Sequence, residues 1–129
     1  MQKLLLIPAL FMFITGCLHF HVQPLPKEPR DGTFFKTGKT RLHYQDSNDQ
    51  HRKNADNQQK TIVLIHGFGS TLTEWHLVKP VLKQNNYRVI AMDLKGHGWS
   101  NRPEGDYSIE TQAQLVVELL KHLSIGQFY

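Results

Sequence analysis

Apolar and polar positions change character several times along the chain. Residues 4–14 form an unbroken apolar run behind a single Lys3. The run is shorter than the ~20 residues that cross a bilayer as a helix. It has no polar face and contains Pro8, so a retained membrane helix or a buried N-terminal helix fits it less well than an export signal. Residues 1–16 are therefore expected to be a signal peptide, and residues 17–31, broken by Pro24, Pro26 and Pro29, an extended tether. Residues 32–129 follow as one folded unit.

Within that unit, Thr33-Phe34-Phe35-Lys36-Thr37 and Thr40-Arg41-Leu42-His43-Tyr44 are β-prone and separated by Gly38-Lys39, the pattern of a hairpin. Residues 45–60 are polar apart from Ala55 and read as an exposed loop. Residues 62–65 (IVLI) are continuously aliphatic, as in a strand covered on both faces of a parallel sheet. Thr71-Leu72-Thr73-Glu74 has the form of a capping box. Trp75, Val78 and Leu82 then mark one helical stripe, widened by Leu77 and Val81. Pro80 within it predicts a kink, and Asn85-Asn86 a stop.

Residues 87–94 (YRVIAMDL) predict a second central strand, and Gly96-His97-Gly98 a tight loop. Ser108 is a helix N-cap, with Ile109, Ala113, Val116 and Leu120 on one face and Gly126 as the stop. Gln127-Phe128-Tyr129 reads as the entry to a third strand. A hairpin followed by alternating strands and helices predicts an α/β fold, a mostly parallel sheet with right-handed crossovers.

Composition narrows the function classes. The 129 residues suit one modest domain, and 40% hydrophobic with 20% charged content is that of a globular protein. The net charge of +4 is spread among acids, as in Lys27, Glu28, Arg30 and Asp31, and forms no stripe that would track a nucleic acid. Eight histidines show no paired zinc-site spacing, so neither a metal nor a cofactor is expected. Cys17 is the only cysteine, which excludes an internal disulfide.

Its setting, Ile14-Thr15-Gly16-Cys17, resembles the lipobox of bacterial lipoproteins. The resemblance implies cleavage before Cys17, lipidation of its thiol and acylation of the new N-terminus. The partner would then be a membrane and the location the cell envelope, with Leu18 after the cysteine favouring an outer membrane where one exists. Simple secretion is the alternative.

Ile65-His66-Gly67-Phe68-Gly69-Ser70, with Trp75 downstream and Asp93-Leu94-Lys95-Gly96-His97-Gly98-Trp99-Ser100 after the next strand, resembles the opening of the α/β-hydrolase superfamily. The resemblance implies the N-terminal, incomplete part of that fold. It makes the Phe68 backbone N–H an oxyanion-hole donor, with Gly67 and Gly69 shaping its loop. His66, Asp93, Gly96, His97, Gly98 and Ser100 become a structural motif. Gly98-Trp99-Ser100-Asn101-Arg102 lacks the second glycine of a nucleophile elbow, so Ser100 is not the expected nucleophile.

In this family the nucleophile, acid and histidine come later in the chain, so the triad is expected after Tyr129 and these residues alone are expected to be silent. The implied activity is esterase-like hydrolysis of a small ester-like substrate through a covalent intermediate on Ser, or less often Asp or Cys. The competing expectation is a catalytically inactive lipoprotein or a small binding module.

Overall fold

The computed structural model describes residues 29, 32–48 and 59–129. The expected signal peptide, Cys17, the tether apart from Pro29, and residues 49–58 of the polar loop lie outside the described residues.

Strands β1 (Thr33–Thr37) and β2 (Thr40–Asp46) form the hairpin, with Phe35 opposite Leu42 and Thr37 opposite Thr40. Gly38 has φ +52 at the first position of the two-residue turn, the sign that a hairpin turn of the II′ kind requires there. The polar loop begins later than its composition suggests. Gln45 and Asp46 continue β2 and pair with Ala91 and Ile90. A polar strand end is tolerated here because Asp46 accepts from the Arg88 guanidinium at 2.7 Å.

Strands β3 (Thr61–Ile65) and β4 (Arg88–Met92) are parallel, with Ile62 opposite Val89 and Ile65 opposite Met92. The sheet order is β1-β2-β4-β3, so β4 lies inside, antiparallel to β2 and parallel to β3. On the outer side of β3, Tyr129 donates to Thr61 O and accepts from Val63 N–H, each at 2.9 Å. One residue bonded to two positions two apart is the start of a parallel ladder, where the third strand entry was expected.

The side chains of β4 alternate between two cores. Ile90 and Met92 pack with Tyr44, Val116, Leu119 and Leu120 on one face. Val89 and Ala91 pack with Leu64 and Leu72 on the other. Each large aliphatic residue buried this way contributes about 1.5–3 kcal/mol. Double-sided burial is the reason the strand reads as a continuous apolar run.

The first helical region departs from the expected kinked helix. It is a 3₁₀ turn at Leu72–Trp75 followed by a separate helix α1 (Val78–Gln84). Pro80 is the third residue of α1, in the first turn, where no amide is needed for the helical ladder, so it causes no kink. Nor does the capping box form: the Thr71 hydroxyl accepts from Thr73 N–H, and the Glu74 carboxylate turns to the Gly67 amide instead. Trp75 and Leu82 reach the core, whereas Leu77 and Val81 are exposed.

Helix α2 (Ile109–His122) starts as expected, with Ser108 accepting from Thr111 N–H at 3.2 Å. Its buried face is Leu115, Val116, Leu119 and Leu120, while Ile109 is 85% exposed. Gly126 is not its stop. Ser124 takes the left-handed position at φ +56, Ser124 N–H donates to Lys121 O, and Ile125 N–H donates to Leu120 O. This is a Schellman cap, and it folds Ile125 back onto the Leu120 core.

Candidate active site

Both glycine-bearing turns follow parallel strands and lie at the carboxyl ends of β3 and β4. In an open α/β sheet that end is where ligands bind. The first turn is His66-Gly67-Phe68-Gly69-Ser70. Ser70 N–H donates to Gly67 O at 3.2 Å, closing a four-residue turn around Phe68 and Gly69. Gly69 adopts φ +71, which glycine accepts without steric penalty. The Phe68 side chain is fully exposed. Its amide forms no hydrogen bond within the described residues.

The buried His66 bridges the two strand ends. Leu94 N–H donates to His66 Nε2 at 3.1 Å, and His66 Nδ1 lies 2.8 Å from Gly67 O. A backbone amide only donates, so Nε2 is the acceptor and Nδ1 carries the proton. The imidazole is therefore neutral, with both nitrogens engaged in holding the turn. The His97 ring lies 5.0 Å away, and His97 Nδ1 approaches Lys95 O.

Asp93, which is fully buried, joins three segments. One carboxylate oxygen accepts from Leu72 N–H at 2.7 Å. The other accepts from Trp99 N–H at 3.0 Å and lies 2.8 Å from His43 Nδ1 on β2. Burial pushes the Asp93 carboxyl up, but the bonds from His43, Leu72 and Trp99 outweigh it and hold the group below its ordinary value. The Ser100 hydroxyl accepts from His43 N–H at 2.9 Å and donates to Asp93 O at 2.6 Å. Ser100, His43 and Asp93 thus lie together, but Ser100 is buried and its proton goes to a carbonyl, so the trio is a brace.

The glycines of the second turn make room for this brace. A Cβ at Gly98 (φ +46) would sit 2.3 Å from the Asp93 carboxylate, and one at Gly96 (φ +87) would sit 2.8 Å from the Tyr107 ring. Lys95 is buried beneath the loop, donating to Asp106 O at 2.8 Å and lying 4.2 Å over the Tyr107 ring. Gln112 clamps Lys95 from α2 through both its amide and its carbonyl.

Sequence reasoning missed His43, Lys95 and Gln112 as members of this network. Strand alternation in TRLHYQD groups His43 with Arg41 and Gln45 on the polar side, opposite Leu42 and Tyr44, so the sequence gave no sign that it is buried. Among the described residues, no group of three His, Cys, Asp or Glu could hold a metal ion, and no helix is long and apolar enough to cross a membrane.

Comparison with known proteins agrees with this architecture. The family described as alpha/beta hydrolase fold matches residues 60–129. The mesoderm-specific transcript protein of Mus musculus is 32% identical over 114 residues, covering 83% of this chain and 32% of that protein. The fluoroacetate dehalogenase of Burkholderia sp is 36% identical over 73 residues, covering 53% of this chain and 24% of that protein. The crystal structure of the enol-lactonase from Burkholderia xenovorans LB400 superposes with a TM-score of 0.64 at 29% identity, over 74% of this chain and 35% of that one. The chain spans about a third of the length of the first of these relatives. With the matched family covering more than half its residues, and with the strand order and both turns in place, the chain belongs to the α/β-hydrolase fold family.

Proposed function

We propose that this chain supplies the oxyanion-stabilising side of an esterase-like active site, in a hydrolase tethered to the cell envelope through a lipidated Cys17. The carrying observation is the Phe68 amide. Among the described residues it forms no hydrogen bond at the carboxyl end of β3, and Tyr129 is bonded along the outer side of the same β3. In the family's arrangement the nucleophile turn follows the strand on that side. The residue after the nucleophile gives one donor, and the loop after β3 gives the other. The similarity to an enol-lactonase supports acyl chemistry, because a lactone is a cyclic ester.

The division of labour follows from charge. As a nucleophile adds to the carbonyl, negative charge gathers on the oxygen, and a preset N–H stabilises it without reorganising. His66 and Asp93 keep that N–H in place; they do not transfer protons. Asp93 anchors the Leu72 amide just beyond the turn, and His66 ties Gly67 to Leu94.

The test is Phe68→Pro in the complete reading frame that contains these residues. Phe68 occupies the second turn position, which suits proline, so the substitution deletes the donor and keeps the turn. The expected kcat/KM for p-nitrophenyl butyrate falls about 10²–10³-fold with little change in Tm. An undiminished rate contradicts the assignment.

A further inference from the structure

We infer that Glu74 sets the charge preference of the site, favouring neutral or cationic acyl groups over those that carry a carboxylate, a preference that rests on reading Phe68 as the oxyanion donor. The Glu74 carboxylate reaches back across the turn, with Oε2 3.4 Å from Gly67 N. Gly67 precedes Phe68, and consecutive Cα atoms are ~3.8 Å apart. The carboxylate therefore lies about one residue from the amide that would meet the substrate oxygen. No ion pair engages Glu74 among the described residues; the pairs formed there are His43 with Asp93 and Arg88 with Asp46. Among the described residues no cation is paired with its charge at the turn.

Two consequences follow. The amides of this turn attract an anion, and in the resting protein the chain itself provides one. A substrate carboxylate entering beside Phe68 meets the negative charge of Glu74 about one residue away along the turn. At an exposed site such a pair alters affinity about three- to tenfold, and salt screens the effect. If Glu74 were a brace alone, its accepting oxygen would matter and its charge would not. Glu74→Gln separates the two, since it keeps the oxygen and removes the charge.

The experiment compares p-nitrophenyl hemisuccinate with p-nitrophenyl butyrate, using the complete protein and its Glu74→Gln variant. The expected result is a hemisuccinate-to-butyrate ratio of kcat/KM raised about three- to tenfold by the variant at about 0.02 M ionic strength, with the gain shrinking near 0.5 M. Butyrate serves as the reference ester, so any effect of the variant on the turn itself cancels in the ratio. A ratio equal to that of the wild type overturns the inference.

A second arm needs no turnover: acetate titrated against the backbone amide resonances. Acetate is expected to shift the Phe68 amide with several-fold higher affinity in Glu74→Gln. If neither ester is hydrolysed while acetate still distinguishes the two proteins, the esterase reading fails and the charge preference stands. Equal acetate affinities overturn the preference whatever the esters do.

Discussion

Asp93 ties three segments together at the turns, and its protonation should be visible in stability. Its two oxygens serve His43, Leu72 and Trp99, which brings together β2, the segment after the first turn, and the second turn. Burial raises its carboxyl and those bonds lower it further, so the folded value lies below the ordinary one. The unfolded chain then takes up the proton first. The stabilisation is complete above the unfolded value, ~3.9, and is lost as pH falls through the folded value. Asp106, held at about 2 by Ser108 and Thr111, adds to the same window. In urea denaturation the contribution of these two carboxylates is expected to be constant above about pH 5 and to decline below it. Asp93→Asn should lower stability at neutral pH by about 1–3 kcal/mol and flatten the acid decline. An acid decline as steep as that of the wild type would show that Asp93 does not carry it. The sequence pointed to Asp93 as the loop's fixing residue but not to His43, because a buried partner from a distant strand leaves no local pattern.

Among the elements, the strands were the most legible and the helix ends the least. The IVLI and YRVIAMDL runs state double-sided burial directly, and β3 and β4 follow them to within two residues. Helix boundaries depend on which residue takes the left-handed position, and here tertiary contact overrides composition. After α1, Asn86 takes it at φ +62, in keeping with the Asn85-Asn86 signal. After α2, Ser124 takes it, two residues before the glycine, because that register returns Ile125 to the core. A left-handed residue with a Cβ costs roughly 1–2 kcal/mol, and glycine removes that strain. Ser124→Gly is therefore expected to stabilise the protein by about 1 kcal/mol in chemical denaturation. A neutral or destabilising result would mean that the cap is not formed as described. The split of the first helical region was illegible for a related reason. Glu74 has a competing acceptor role at Gly67, and a short sequence signal cannot rank two partners.

The described residues form a sheet with a core on each face and two glycine turns at one end. That arrangement was readable from the order of elements, since alternation of strands and helices leaves few topologies. The identity of the chemistry was less so, because the chain spans about a third of its first relatives' length and carries one side of the proposed site. Tyr129 is bonded along the outer edge of β3, the side where the proposed nucleophile turn belongs.

The most direct measurement is a crystal structure of the complete protein after reaction with an alkyl p-nitrophenyl phosphonate, which mimics the tetrahedral intermediate. A phosphonyl oxygen is expected about 2.7–3.1 Å from the Phe68 nitrogen. An adduct whose oxygen turns away from that amide, or a protein that forms no adduct, would contradict the Phe68 assignment.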